Sequence, residues 1–210
     1  LKILIIGSTG GTGRRLVLQG CDAGHTVTAM ARNPEEMVIR HQNLSVIQGD
    51  VLKPETLDEA IKGQDAVLSA LGTKNLSKSS IISDGTKNVI TAMEKHGVKR
   101  FVCETSLGVG DSRGQLGWLY EYVIVPLILK NAMDDKEVQE HHIRQSNLDW
   151  VIVRPAGLTD DRHSGNYYVW TGKPGRSIKG TISRADVADF MLRNVTDDTY
   201  LRQAVGIAYV

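Results

Sequence analysis

Cysteine is nearly absent from this chain. Its 210 residues contain two, Cys21 and Cys103, which lie far apart and match no metal-ligand or Cys-x-x-Cys spacing. That excludes a cysteine-built zinc site and a dithiol redox centre, suits a reducing compartment, and reads as a cytoplasmic protein with two buried thiols. An excess of charge of either sign is also missing. Lysine plus arginine number 25 against 24 for aspartate plus glutamate, so composition carries no electrostatic footprint for nucleic acid or an anionic membrane surface. No long hydrophobic run occurs. The most apolar stretch, Trp118 to Leu129, contains Glu121 and Pro126 and is too short to span a bilayer, which leaves a helix packed on the protein. No charged segment followed by an apolar one precedes Leu1, which already lies in a strand pattern, so no signal peptide is expected. The length fits one α/β domain, residues 1–210, and would cramp a second.

What is present is organised around the beginning of the chain. The apolar run Ile3 to Ile6 leads into Gly7-Ser8-Thr9-Gly10-Gly11-Thr12-Gly13-Arg14, and a helical pattern follows. A strand that delivers a glycine-rich turn to a helix N-terminus places backbone N–H groups and the positive end of a helix dipole where a pyrophosphate binds. In this reading Gly7 permits the tight turn, Gly10 lets the backbone approach the phosphates, and Gly13 lets the helix pack on the sheet. The spacing G-x-x-G-x-x-G resembles that of the short-chain dehydrogenase/reductases.

Further strands are expected at Thr26 to Ala31, Leu44 to Gln48, Ala66 to Leu71, Arg100 to Cys103 and Trp150 to Arg154. Helices are expected from Thr12, with Leu16, Val17 and Leu18 toward the sheet, and at Pro54 to Ile61, Ser79 to His96, most of Trp118 to Gln145, and from Ser183 to Arg193. The alternation predicts a doubly wound, Rossmann-like parallel sheet with helices on both faces. Ligands of such sheets sit at the carboxyl ends of the strands, so Gly7, Arg32, Asp50, Gly72 and Ser106 should line one crevice. Arg32, at the end of the second strand, stands where NAD-binding domains carry an acid for the adenosine ribose. A guanidinium there pairs with a 2′-phosphate, which favours NADP(H); a solvated arginine is the other reading. Asp50 and Val51 are placed to cover the adenine, or Asp50 caps the following loop. Residues 156 to 180, rich in glycine with Tyr167, Tyr168 and Trp170 interleaved, form either a small C-terminal segment covering the substrate or an excursion closing the sheet edge.

Short-chain reductases of ketones use a tyrosine with a lysine four residues later as the proton donor. None of the six tyrosines has this partner. The absence weakens ketone reduction and sugar-nucleotide epimerisation and favours acceptors that delocalise the incoming electrons, for which positioning and exclusion of water suffice. Ser106 is the candidate hydrogen-bond donor to such an acceptor. Lys136 either reaches the crevice or pairs on the surface with Glu140, and His141-His142 reads as an exposed helical pair.

With Gly63-Gln64-Asp65-Ala66-Val67, Leu71-Gly72-Thr73-Lys74-Asn75 and His96-Gly97-Val98 added, the chain resembles, over nearly its whole length, the atypical short-chain reductases related to biliverdin-IXβ reductase, also described as NADPH-dependent flavin reductases. The resemblance implies a monomeric NADPH-dependent reductase of flavins such as FMN and riboflavin and of bilins such as biliverdin. It implies that Gly7, Thr9, Gly10, Gly11, Thr12, Gly13, Arg32, Asp50, Val51, Leu71 and Gly72 contact the cofactor, with Ser106 beside the substrate. Where that family lines its pocket with histidines this chain has Lys136 and Gly157, and residues 107 to 131 are longer and more apolar. A non-catalytic NADP(H)-sensing protein resembling the NmrA-like regulators, and a sugar-nucleotide enzyme, are the alternatives.

Overall fold

The computed structural model describes residues 1–73, 79–115, 129–175 and 178–210. Six strands run parallel: β1 (Lys2–Ile6), β2 (Thr26–Ala31), β3 (Leu44–Gln48), β4 (Ala66–Ser69), β5 (Arg100–Glu104) and β6 (Asp149–Pro155). Helices α1 (Gly11–Asp22), α2 (Pro54–Ile61), α3 (Ile81–His96) and α4 (Lys130–Gln145) lie between them, and a short 3-10 turn, Pro34–Glu36, stands between β2 and β3. Beyond β6 come β7 (Gly157–Thr159), β8 (Tyr168–Thr171), β9 (Thr181–Ser183), α5 (Arg184–Arg193) and β10 (Gln203–Ala208). The sheet order is β3-β2-β1-β4-β5-β6-β10-β8, with β8 antiparallel to β10, and β7 and β9 form a separate parallel pair. The order reverses between β1 and β4, which opens the crevice in which doubly wound sheets hold ligands.

The pleat explains why the central strands are apolar throughout. Ile3 and Ile5 face a layer made by Leu16, Val17 and Cys21 of α1 and Val187, Phe190 and Met191 of α5. Their neighbours Leu4 and Ile6 face Leu57 and Ile61 of α2, Val89 and Met93 of α3 and Ile143 of α4. A strand covered on both sides has no residue free to be polar, and each such side chain contributes about 1.5–3 kcal/mol by its burial.

The sheet therefore has the expected architecture, with two local differences, at Leu18 and at β10. Leu18 is exposed rather than packed on the sheet, because three consecutive helical residues turn through about 200° and a helix has only one inward face. Of the two readings of residues 156 to 180, the one that closes the sheet edge is seen in β8, which pairs with β10. β10 itself occupies an interior place that the sequence pattern does not announce. The expected helix over Trp118 to Leu129 falls almost wholly outside the described residues, as do Lys74 and Asn75.

Candidate functional site

The carboxyl ends of β1 to β5 bring Gly7, Arg32, Asp50, Gly72 and Ser106 to one edge of the sheet. The glycine turn at its centre is held tightly. Gly7 has φ +74, and a Cβ on it would stand 2.4 Å from the carbonyl oxygen of Ala70 beyond β4. A Cβ on Gly13 would lie 2.1 Å from the Gly7 carbonyl oxygen, so both positions require glycine for close backbone approach. Ser8 is fully buried and donates to the Met30 carbonyl at 2.8 Å, fastening the turn to β2. Gly10 is exposed, and among the described residues a Cβ there would meet only the Gly7 carbonyl oxygen, at 3.2 Å. As N-cap of α1, Gly10 supplies no side-chain cap, and the first turn carries no acidic residue. The first N–H groups of α1 are thus left to a ligand or to water, a donor set that suits the phosphates of a dinucleotide.

On the β2 side Arg32 is exposed, and its backbone carbonyl accepts from Gln48 Nε2 at 3.2 Å. A second cation stands nearby that sequence reasoning passed over. Arg14 donates from Nε to the Thr9 carbonyl at 3.0 Å and from Nη2 to the Glu36 carbonyl at 3.3 Å, bridging the glycine turn and the Pro34–Glu36 turn. The carboxylate of Glu36 is held by Asn33 Nδ2 at 2.9 Å. Beyond β3, Asp50 Oδ1 accepts from the Leu52 N–H at 3.0 Å, so this residue does cap its own turn. Val51 and Leu71 approach one another over Gly85 of α3, where a Cβ would meet Val51 Cγ2 at 2.5 Å and Leu71 Cδ2 at 3.3 Å. They form an apolar wall beside Gly72, which is exposed and has open space around it among the described residues.

The β5 side is built from buried polar groups. Glu104 lies directly under the glycine turn and accepts from Thr12 Oγ1 at 3.1 Å. Burial pushes its carboxyl pKa up, while Lys136, Thr12 and Arg184 pull it partly back. Lys136 is half-buried and donates to the Thr105 carbonyl at 2.8 Å, immediately before Ser106. The surface pair with Glu140 is not formed. Glu140 is buried and bidentate to Arg154, at 2.8 and 2.6 Å, and also accepts from Thr105 Oγ1 at 2.8 Å. Arg154 in turn reaches Asp111 at 2.7 Å, which ties the segment after Ser106 to β6. The spacing 133, 136, 140, 143 puts Met133, Lys136, Glu140 and Ile143 on one helical face. That stripe was the available signal for the inward position of Lys136 and Glu140. Ser106 is half-buried, with its hydroxyl donating to the Leu107 carbonyl at 3.1 Å.

Other candidates are quieter. His141 and His142 sit side by side on α4, and among the described residues no cluster of three metal-ligating side chains occurs. Cys21 and Cys103 are both buried, and desolvation pushes the Cys103 thiol up to about 12, which removes it from nucleophilic chemistry at neutral pH. Among the described residues, no helix is long and apolar enough to cross a membrane.

Comparison with known proteins agrees with this geometry. The model of a family described as NAD(P)H-binding matches residues 7–198. The chain is 30% identical to the photosystem II assembly factor Ycf39 of Synechocystis sp., over 99% of its own length and 62% of that protein's, so it spans less than two thirds of this relative. It is 34% identical to isoflavone reductase of Medicago sativa, over 98% of this chain and 69% of that protein. Among solved structures, ChuY, an anaerobilin reductase from Escherichia coli O157:H7, has a TM-score of 0.81 at 22% identity, covering 99% of this chain and 97% of that one, which is a likeness of fold.

Proposed function

This chain belongs to the NAD(P)H-binding family, and from that premise we propose that it is an NADPH-dependent reductase of a conjugated acceptor, a flavin or a bilin, working as a cytoplasmic monomer. The observation that carries the reading is the environment of Lys136. It is held on the carbonyl before Ser106, and the residue four positions earlier is Ala132 rather than tyrosine.

In this reading the pyrophosphate lies on the first turn of α1, the adenine between Asp50-Val51 and Leu71-Gly72, and the 2′-phosphate against Arg32 with Arg14 alongside. When bound, the reduced nicotinamide supplies a hydride. Lys136 and Ser106 hydrogen-bond the acceptor's heteroatoms and hold it at the end of β5. The reduction consumes one hydride and one proton, and the proton comes from water or from the Lys136 ammonium. A phenol is dispensable because a delocalised acceptor does not build the localised alkoxide that a ketone does. Stopped-flow oxidation of NADPH with FMN, riboflavin and biliverdin tests this directly. Turnover with at least one of them is expected, and rates no higher than without enzyme for all three would overturn it.

A second reading is favoured by one comparison, the likeness to Ycf39, which is called an assembly factor. A non-catalytic NADP(H)-sensing protein would bind the dinucleotide in calorimetry, show no turnover, and hold a protein partner with an affinity that depends on the cofactor. A sugar-nucleotide enzyme would need Lys136 as its acid, and unchanged activity in Lys136→Ala would remove it.

A further inference from the structure

Arg184 opens α5, directly after the N-cap Ser183, and α5 lies alongside α1, with Gln19 Nε2 donating to the Ala185 carbonyl at 3.0 Å. The Arg184 side chain crosses the start of α1. A Cβ on Gly11 would lie 2.5 Å from its Nε and 2.6 Å from its Cδ, so Gly11 is the space in which the arginine rests. This is the wrong sign of charge for the place. The N-terminus of a helix carries partial positive charge and favours anions, and α1 has no acidic residue in its first turn to offset a guanidinium.

Two carboxylates relieve the conflict incompletely. Glu104, beneath the turn, acts on Arg184 only through space. Asp160 accepts from Arg184 Nη1 at 2.9 Å, but its side chain is 80% exposed, and an ion pair that open to water is weak. Among the described residues this is the single hydrogen bond of the guanidinium, which leaves Nε, beside Gly11, and Nη2 as donors without an acceptor there. Two converging positive groups, one of them with free donors, fit an anion between them.

We propose that Arg184 is a ligand of the cofactor's pyrophosphate and that Asp160 competes with the phosphate for it. The assignment rests on the dinucleotide-binding reading above and extends it to a residue outside the glycine turn. Arg32 and Arg14 serve the adenosine end of the crevice, beyond β2. Arg184 approaches α1 from the side of β6, where α5 packs, and so meets the pyrophosphate rather than the 2′-phosphate. Exchange is simple: a phosphate oxygen replaces the Asp160 carboxylate on the same guanidinium, while Ser164 and Gly165 keep the segment between β7 and β8 fastened to Asp186.

The test uses the full chain and two probes, NADPH by calorimetry and 2′-AMP, which lacks the pyrophosphate, by ligand-observed NMR. Arg184→Ala should weaken NADPH about tenfold to a hundredfold, the range of a charge-assisted contact, and leave 2′-AMP unchanged. Arg184→Lys should fall between. Arg32→Ala should weaken both probes. Asp160→Asn should tighten NADPH about two- to fivefold by removing the competitor. A purely structural Arg184–Asp160 latch predicts instead that Arg184→Ala and Asp160→Asn weaken NADPH alike, and that result would overturn the assignment, as would unchanged NADPH affinity in Arg184→Ala. A wild-type chain that binds neither probe would overturn the dinucleotide reading itself. Retained 2′-AMP binding shows that the Arg184 and Asp160 variants are folded, and far-ultraviolet circular dichroism does so for Arg32→Ala.

Discussion

The two halves of this sheet solve the same burial problem with different materials. Among the described residues, the buried charged side chains are Glu104, Asp135, Glu140, Arg154 and Asp186, and all of them follow residue 100. Among its described residues the first half, from β1 to β4 and through α3, buries only hydroxyls, Ser8, Thr12, Ser69, Ser83 and Thr86, besides its apolar residues and glycines. The end of the crevice that receives a dinucleotide is thus shaped by backbone and by missing side chains. The end where an acceptor would lie is shaped by charges that hold one another. A frame of glycines positions main-chain donors without titrating, whereas a frame of buried ion pairs positions side chains and stays sensitive to the loss of any one partner.

The largest effect should come from breaking the second frame. Glu140→Ala leaves Arg154, 3% exposed, without its bidentate partner, and should cost about 3–5 kcal/mol, read as a fall in Tm of about 6–20 °C. Replacing both residues with apolar ones of similar volume should recover most of this. If the double variant is no more stable than Glu140→Ala, the pair is more than a matched charge.

Steric disruption of the first frame comes next. Gly13→Ala, with its Cβ 2.1 Å from the Gly7 oxygen, should cost about 1–3 kcal/mol in denaturant titrations and abolish NADPH binding.

Acid sharpens the contrast further. Asp186 is fully buried, and although burial alone raises its pKa, donors from Tyr209, Gly165, Ser164 and Ser183 bring the carboxyl down to about 2. The folded value lies below the ordinary 3.8, so the stabilisation, on the order of 2 kcal/mol, is complete above that pH and is lost as the pH falls through about 2. Asp186→Asn should flatten this acid limb in chemical denaturation; an unaltered limb would place the acid sensitivity elsewhere. The smallest effect belongs to Gly72→Ala. Open space surrounds that position among the described residues, so stability should stay within about 0.5 kcal/mol while NADPH binding weakens.

The same contrast decides what could be read from sequence. In the first half the buried side chains are apolar or carry only hydroxyls among the described residues, although Leu18, Val38 and Leu52 are exposed; β2, β3 and α2 have the bounds that periodicity predicts, and the glycines of the turn fall where close backbone approach demands them. In the second half burial and polarity part company. Glu140 looks like a surface partner for Lys136 because a carboxylate four residues along a helix normally is one, yet it is almost wholly buried against Arg154. Arg184 reads as part of a helix cap, since its contact with Gly11 joins residues 173 positions apart and leaves no local trace. β10 escapes notice because Gly206 interrupts its pattern. That glycine is required by tertiary structure, as a Cβ there would enter the Trp170 ring at 2.3 Å.

β8 leaves the ribosome before β10, yet among the described residues β10 is its only neighbour in the sheet. Until residues 203–208 arrive, β8 has no edge to join and β6 presents an open one, the kind of unpaired strand edge through which nascent chains associate wrongly. A nascent chain arrested just before β10 would therefore hold a nearly complete nucleotide crevice beside an exposed edge. Vectorial synthesis delivers these strands in an order that the sheet itself cannot follow.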